Sequence, residues 1–323
     1  MLSASHRFAA LALAAACITW LGCNVEENGN TIKFSIPTGQ VNSPATTAAP
    51  APAGDSIRIA SFNIQVFGQS KLKKQLVMDV LAKVVRRFDV VAIQEVRAKT
   101  DTIVPDFLAL INAEGARYDF VIVPREGRTT SKEQYAILFD TNHIEVDPRS
   151  VYVVPDPQDL FQREPMVARF RVRGPAPEEA FTFSLVDIHT EPDEALNEMN
   201  ALAGAFVSVQ NNGSGEDDVI LLGDLNSDEY HLGQMGQLPG IVHAITGVTT
   251  NTRRTHMYDN IMFDRRPTVE YLGRWGVLDL MNEYNLPLDV ALEVSDHFPV
   301  WAEFSAYEGG AGSMAARQPG ISQ

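Results

Sequence analysis

Six short segments place an acid, an amide or an imidazole at or beside one end of an apolar run. They are ASFNIQ with Asn63, VVAIQEVR with Glu95 and Arg97, SLVDIHTEP with His189, VILLGDLNSD with Asp224 and Asn226, YDNIMF with Asp259, and VSDHFPV with Asp296 and His297. Polar residues that stop apolar strands commonly line the mouth of a sheet, where loops carry function. Each segment alone is compatible with an ordinary turn or a solvated side chain, but together they predict one site.

This inventory of side chains suits the hydrolysis of a phosphodiester. Mg²⁺ prefers oxygen ligands and keeps several waters, so we expect Glu95 to bind it directly, with Asn63 and Asp296 close by. Such a metal polarises a phosphoryl oxygen and offsets charge in the transition state. An imidazole must also take a proton from the attacking water, and a carboxylate on its second nitrogen fixes its tautomer. His189 and His297 are the candidates for two such pairs.

The elements that must position these residues lie between Ile57 and Tyr307. Helices are predicted where apolar residues recur at helical spacing, over 72–88, around 107–111 and after Pro192. Strands are predicted at 57–62, 89–94, 120–123, 135–139, 150–154, 166–172, 181–188, 219–222, 260–263 and 299–304. Many strands with few helices predict two packed sheets flanked by helices.

The composition restricts the class of protein. The chain has 323 residues, of which 45% are apolar, and this is ample for one sizeable core. Its formal net charge of -15 argues against broad electrostatic adhesion to nucleic acid or anionic lipid. A nuclease is not excluded, because a bound divalent cation supplies positive charge that the sequence does not count.

Residues 1–23 are typical of a signal peptide. The apolar run from Phe8 to Leu21 is short for a membrane span, and the LGC sequence that ends at Cys23 resembles a bacterial lipoprotein cleavage box. We expect Cys23 to be lipidated, with plain cleavage near Gly22 as the alternative. The protein is therefore predicted to be extracytoplasmic, either secreted or lipid-anchored at the cell surface or periplasm, and to contact a membrane only through this anchor.

The remaining boundaries follow from composition. Residues 24–56 are polar, then rich in Pro, Ala and Thr, and are predicted to be a disordered tether. Residues 57–307 form the predicted catalytic domain, and 308–323 a disordered tail. Both cysteines, Cys17 and Cys23, fall within the signal segment, so no disulfide is expected in the catalytic domain.

The segments resemble the endonuclease/exonuclease/phosphatase superfamily, and specifically deoxyribonuclease I. SFNI, QE, GDLN and SDH carry the general likeness, whereas IQEVR, SKEQY, REPMVARF and IHTEP resemble deoxyribonuclease I in particular. The resemblance covers nearly all of the chain from Ile57 to Phe304. It implies an α/β (α+β) four-layer sandwich, in which two mixed β-sheets pack face to face, with helices outside and the site at one edge.

The resemblance also implies an activity. It points to a monomeric endonuclease that hydrolyses DNA, most simply double-stranded DNA, with little sequence specificity and leaves 5′-phosphate ends. The implied cofactor is Mg²⁺, with Mn²⁺ as a substitute. Glu95 would be the principal metal ligand, with Asn63 beside it and Asp296 next to the metal. Asp224 and Asn226 would hold the metal, the attacking water or the scissile phosphate.

The remaining roles concern proton transfer and DNA contact. The resemblance implies that Asp259 orients His297 as general base and that Glu133 of SKEQY pairs with His189, although which imidazole is acid and which is base stays open. Two arginines would contact DNA. Arg163 of the REP segment would contact a backbone phosphate. Arg97 would reach into the minor groove and recognise its shape.

The sequence departs from the family pattern at two places. Ser131 stands where the family has an aromatic residue that stacks in the minor groove. The loop 246–258 keeps Thr250 and Thr252 of a family calcium site but lacks its aspartate and last threonine, so Ca²⁺ stays an open alternative there. Arg253 and Arg254 in that loop are candidates for extra phosphate contacts, or are simply solvated.

Two rival functions stay open. One is an exported phosphodiesterase or phosphatase that acts on lipid or small-molecule phosphoesters, in the manner of a sphingomyelinase or an inositol phosphatase. The missing aromatic at position 131 favours it. The other is an inactive binding module that reuses the fold. The presence of both His189 and His297 with every acidic partner argues against such a module.

Overall fold

The computed structural model describes the backbone of residues 25–28 and 31–34 and describes residues 54–130 and 132–310 in full. The predicted signal peptide with Cys23, most of the predicted tether, Ser131 and the tail beyond Gly310 lie outside the described residues. No helix within the described ranges is long and apolar enough to cross a membrane.

The chain divides into two units, Met1–Pro50 and Ala51–Gln323. In the first, strands β1 (Val25–Asn28) and β2 (Thr31–Phe34) pair antiparallel. The sequence analysis predicted no strand within 24–56, because strands of four residues are too short to show a period. This paired segment lies at the beginning of the predicted tether, and the tether itself stays a prediction.

The second unit contains two six-stranded mixed sheets. In spatial order, the first consists of β13 (Tyr271–Val277), β14 (Val300–Ser305), β3 (Ser56–Phe67), β4 (Val90–Val96), β6 (Gln134–Asp140) and β5 (Tyr118–Ile122). The second consists of β11 (Ile241–His243), β12 (Asp259–Asp264), β10 (Val219–Asp224), β9 (Thr182–His189), β8 (Met166–Val172) and β7 (Ile144–Val153). Each sheet has a parallel pair at its centre, β3 with β4 and β9 with β10, and its other pairs are antiparallel.

Helical crossovers join the strands of each parallel pair. Helices α1 (Gln69–Leu72) and α2 (Gln75–Val85) connect β3 to β4, and α4 (Ala195–Gln210) connects β9 to β10. Helix α3 (Ile103–Asn112) lies between β4 and β5 in the chain. A crossover of this kind returns the chain to the same edge, so the carboxyl ends of the paired strands meet there. Within each sheet, the crossover brings two strand ends together. The packing of the two sheets then brings the two pairs of ends to the same place.

Three apolar clusters hold four layers together: helices, the first sheet, the second sheet and helix α4. The cluster between the sheets is rich in aromatic residues, including Phe170, Phe183 and Phe304. A second cluster packs α2 and α3 on the outer face of the first sheet, and a third packs α4 on the outer face of the second. The predicted sandwich of two mixed sheets flanked by helices is confirmed.

Several predicted elements differ in extent. The helix predicted over 72–88 is divided between α1 and α2, because Lys74 has extended backbone (ψ 90°), and Leu76 is 46% exposed. The strand predicted at 150–154 is the second half of β7, whose first half lies at a sheet edge and alternates the core residues Ile144 and Val146 with acids. The sequence analysis missed β11, β13 and the short helices α5 (Leu280–Tyr284) and α6 (Leu288–Val294), which are too short or too polar to show a period.

Candidate active site

Strand register brings the predicted residues to one edge of the sandwich. Asp224, the last residue of β10, lies opposite His189 at the end of β9 and opposite Asp259 at the start of β12. A Cβ atom at Gly223 would lie 1.8 Å from the carbonyl oxygen of Ile188, so the GD sequence lets the two strands approach each other.

Asp224 lies at the centre of the site. Its Oδ2 accepts a hydrogen bond from Asn63 Nδ2 at 2.9 Å. The same oxygen lies 3.6 Å from His189 Nε2 and 3.4 Å from His297 Nε2. Both imidazoles therefore direct the same ring nitrogen at one point between the two sheets.

His189 is held by Glu133, as the sequence analysis predicted. Its Nδ1 lies 2.7 Å from Glu133 Oε1, and both side chains are buried. Burial alone would lower the pKa of His189, but the charge of Glu133 and the hydrogen bond with it raise that pKa above its ordinary value. Burial opposes ionisation of Glu133, yet His189 and Arg163 lower its pKa. The pair is therefore arranged to hold a charged imidazole.

His297 is held in the same way by Asp259. Its Nδ1 lies 2.9 Å from Asp259 Oδ2, and the Thr250 hydroxyl donates to the same carboxylate oxygen at 2.6 Å. Burial alone would lower the pKa of His297, but the charges of Asp259 and Asp224 raise it well above its ordinary value. Two independent His-carboxylate pairs thus face each other across Asp224.

The predicted metal ligands offer buried oxygen atoms. Asn63 donates to Glu95 Oε1 at 3.3 Å, and the backbone N–H of Val66 donates to Glu95 Oε2 at 2.8 Å. The buried oxygens Asn63 Oδ1 and Asp296 Oδ1 have no hydrogen-bond partner among the described residues. Carboxylate and amide oxygens left without donors fit a hard divalent cation. Glu95 has a φ of 63°, and such strain in a non-glycine residue is typical of functional sites.

A second group of potential ligand atoms lies nearby. One atom from each of Asp224, Asp259 and His297 lies within 4.8 Å of the others. Because His297 Nδ1 and Asp259 Oδ2 already bond each other, this group is better suited to proton transfer than to holding a metal. Whichever of the two groups of residues is considered, the site contains acidic side chains that could bind a metal ion.

The two predicted DNA-binding arginines contact the acids of the site. Arg97 Nε lies 3.1 Å from Glu95 Oε2 and 3.3 Å from Glu133 Oε2, and its side chain is 28% exposed. Arg163 is 4% exposed and donates to the carbonyl oxygen of His189 at 3.0 Å, while its Nε lies 3.2 Å from Glu133 Oε1. Arg163 therefore supports the Glu133–His189 pair. The contacts of Arg163 with a backbone phosphate and of Arg97 with the minor groove stay predictions.

Asn226 and the loop 246–258 also contact the site. Asn226 has a φ of 43° and donates to the carbonyl oxygen of Thr190 at 2.9 Å, beside Asp224. Thr250 donates to Asp259, and the Thr252 hydroxyl donates to the carbonyl oxygen of Ser295 at 2.7 Å. The two threonines that were considered for calcium thus support the His297 pair.

Sequence reasoning missed two contributors. Gln65 donates to Asp296 Oδ2 at 2.7 Å, and the Tyr135 hydroxyl accepts from the backbone N–H of His189 at 3.0 Å. Gln65 was detectable, because it lies two positions after Asn63 and side chains alternate along a strand. Tyr135 is wholly buried within a predicted strand, and the sequence contains no signal for its contact with His189.

Comparison with known proteins agrees with this geometry. Residues 60–297 match the Endonuclease/Exonuclease/phosphatase family. The chain is 31% identical to deoxyribonuclease gamma of Rattus norvegicus, over 76% of this chain and 83% of that protein. It is 32% identical to deoxyribonuclease-1-like 1 of Sus scrofa (79% and 83% covered) and 30% identical to deoxyribonuclease-1 of Bos taurus (76% and 92%).

Solved structures support the fold. A truncated TDP2 of Caenorhabditis elegans superposes with a TM-score of 0.55 at 17% identity, covering 78% of this chain and 98% of that one. An endonuclease/exonuclease/phosphatase family protein of Bacteroides thetaiotaomicron gives a TM-score of 0.54 at 16% identity, with the same coverage. The chain belongs to the endonuclease/exonuclease/phosphatase family. Within it, the chain is a deoxyribonuclease I-like member of a class of hydrolases that act on phosphodiester bonds.

Proposed function

We propose that this protein is a metal-dependent endonuclease that hydrolyses DNA with little sequence specificity and leaves 5′-phosphate ends. The observation that carries the proposal is the convergence of His189 Nε2 and His297 Nε2 on Asp224 Oδ2, at 3.6 and 3.4 Å. Phosphodiester hydrolysis requires a base on one side of the phosphorus and an acid on the other. Two imidazoles held by separate carboxylates supply both groups.

The proton transfers follow from the hydrogen bonds of each ring. One imidazole takes a proton from the attacking water at its Nε2, and the other gives a proton to the departing 3′ oxygen. Because Glu133 and Asp259 bind the Nδ1 atoms, each ring presents Nε2 to the substrate, and the carboxylate stabilises the imidazolium. Release of the 3′ oxygen leaves the phosphate on the 5′ side.

Glu95, Asn63 and Asp296 are the residues that would hold Mg²⁺, with Mn²⁺ as a substitute. When bound, the ion polarises the phosphoryl oxygen and offsets the charge that develops on it. The orphaned oxygens of Asn63 and Asp296 support this assignment. Asn63 also donates to Glu95 and Asp224, so it links the metal side of the site to the proton-transfer side.

DNA is the proposed substrate because three similar proteins are named deoxyribonucleases. The partly exposed Arg97, at the border of the site, offers a cation for the DNA backbone or minor groove. We further propose that the protein acts as a monomer outside the cytoplasm, either free or anchored through Cys23.

Nicking of supercoiled plasmid tests the proposal. The full chain should nick the plasmid with Mg²⁺ and lose this activity in EDTA. Product ends should accept label from polynucleotide kinase only after phosphatase treatment, since a 5′-phosphate blocks the reaction. Nicking that persists in EDTA, or ends that are labelled directly, would contradict the proposal.

A second candidate function is hydrolysis of lipid or small-molecule phosphoesters. The serine at position 131, where the resemblance implies a stacking aromatic, favours it. Release of phosphocholine from sphingomyelin, or of phosphate from inositol phosphates, by a preparation that leaves plasmid intact would establish this function instead.

A further inference from the structure

A cluster of carboxylates lies at the end of the sandwich opposite the candidate active site. Asp218 directly precedes β10, whose last residue is Asp224, so the strand separates the two by about 20 Å. Glu270 directly precedes β13, and Glu308 follows β14. One oxygen atom from each of Asp218, Glu270 and Glu308 lies within 4.8 Å of the others. Three acids from both sheets thus meet at one point.

Buried oxygen atoms in this cluster lack partners. Asp218 is 2% exposed and Glu270 is fully buried, yet Asp218 Oδ1 and Glu270 Oε2 have no hydrogen-bond partner among the described residues. The buried Thr268 hydroxyl hydrogen-bonds with the Asp218 carboxylate, which leaves the two carboxylate oxygens as the unpartnered atoms. Buried polar atoms are normally paired, so two unpartnered carboxylate oxygens in one cluster indicate a missing group that binds carboxylate oxygens, such as a cation.

The charges in the cluster are not offset by a cationic side chain within the described ranges. Burial, followed by the neighbouring carboxylates of Glu270, Glu308 and Glu216, raises the pKa of Asp218 to about 8. Burial and the charges of Glu308 and Glu216 raise the pKa of Glu270 to about 7. The cluster would hold protons at neutral pH unless a cation replaces them.

We propose that Asp218, Glu270 and Glu308, with the hydroxyl of Thr268, bind a Ca²⁺ ion that joins the two sheets at this end. Ca²⁺ takes six to eight oxygen ligands in flexible geometry, so carboxylates, a hydroxyl and waters suit it. Glu308 is exposed, and the neighbouring Glu216 borders an open cavity of about 440 Å³, so an ion can reach the cluster. The site acts on stability and is separate from the loop 246–258.

Thermal unfolding of the full chain tests this proposal. Protein treated with EDTA is compared with protein in saturating Ca²⁺ at constant ionic strength. The unfolding temperature of the wild type should rise by about 5 °C or more, because the ion binds only the folded state. Glu270→Gln should unfold at or above the wild-type temperature in EDTA, since it removes a crowded acid, and should gain nothing from Ca²⁺.

Two matched variants separate this site from other calcium sites. Glu178→Gln removes an exposed carboxylate from a nearby loop and should keep the full Ca²⁺ shift. Glu95→Gln removes an acid of the candidate active site and should also keep it. Equilibrium dialysis should find one bound Ca²⁺ fewer in Glu270→Gln than in the wild type. If Glu270→Gln does not fold, Asp218→Asn takes its place with the same expectations.

Three results would overturn the proposal. They are the absence of a Ca²⁺ shift in the wild type, an equal shift in Glu270→Gln, and a shift that disappears in Glu95→Gln. The last result would place the ion in the candidate active site.

Discussion

The two ends of the sandwich bury acids in opposite ways. At the active-site end, Glu133 and Asp259 each bond an imidazole, and this charge pairing offsets the cost of burying the carboxylate. At the other end, Asp218 and Glu270 face other carboxylates, and their pKa values rise to about 8 and about 7. Burial opposes ionisation at both ends, so the neighbouring group decides whether a buried acid is charged. The comparison separates the acids proposed to assist catalysis from those proposed to bind a cation.

The largest expected effect is at the two active-site imidazoles. His189→Ala and His297→Ala should each lower plasmid nicking by about 10³–10⁴-fold, because each removes a proton-transfer group. His143→Ala is the matched control, since His143 also bonds a carboxylate, Asp89, at 2.6 Å but lies outside the site. It should leave the nicking rate near wild type. An equal loss in all three variants would show that the effect is structural.

A smaller effect is expected at the carboxylates that hold the imidazoles. Glu133→Gln and Asp259→Asn should each lower the nicking rate by about 10²-fold, the lower end of the range for general acid–base catalysis, because the ring keeps its place but loses support for its tautomer and charge. The matched control is Asp228→Asn, since Asp228 bonds the exposed His231 at 2.6 Å. A wild-type nicking rate in Glu133→Gln would contradict the proposal that Glu133 supports His189 in the reaction.

The pH dependence of stability should distinguish the other end. The folded-state pKa values of Asp218 and Glu270 are raised, so the folded state binds more protons than the unfolded one between about pH 4 and pH 8. This contribution is present at low pH and is lost as pH rises through the folded values. In EDTA, the free energy of unfolding should therefore fall by about 6 kcal/mol between pH 5 and pH 8 if both acids titrate at these values.

The active-site imidazoles also have raised pKa values, and they add a loss of the same sign. Comparison with Glu270→Gln isolates the cluster, and urea unfolding of this variant should show a shallower fall over the same pH range. Identical slopes in the variant and the wild type would show that the cluster does not titrate.

The smallest expected effect is on DNA affinity. Arg97→Gln should weaken binding a few-fold and reduce the slope of log affinity against log salt by about one, because one positive charge that faces the DNA is lost. Arg149→Gln removes a 92% exposed arginine that pairs with Asp147 away from the site, and should leave the slope unchanged. A changed nicking rate with an unchanged slope would assign Arg97 to positioning Glu95 and Glu133 instead.

Local patterns in the sequence were enough to predict which side chains lie together at one edge of the sandwich. Apolar runs that stop at Glu95, His189 and Asp224 identified three strand ends to within one residue, whereas β3 continues past Asn63 to Phe67. Gly223, which lets β9 approach β10, is adjacent to Asp224, so the sequence could also have indicated a close approach of two strands at this point. The same patterns failed for β13, whose register is interrupted between Tyr271 and Arg274, and for the first half of β7, where only Ile144 and Val146 pack against the core.

Only the tertiary structure decided how those residues meet. The position of Asp224 between two imidazoles depends on the register of β10 with β9 and β12, which no local pattern contains. The acidic cluster is a stronger case, because Asp218, Glu270 and Glu308 lie far apart in the chain and follow no shared motif. The chain by itself determined which residues can do chemistry at strand ends. Packing of the two sheets decided which acids face a cationic partner and which face one another, because charge partners are set by distance in space.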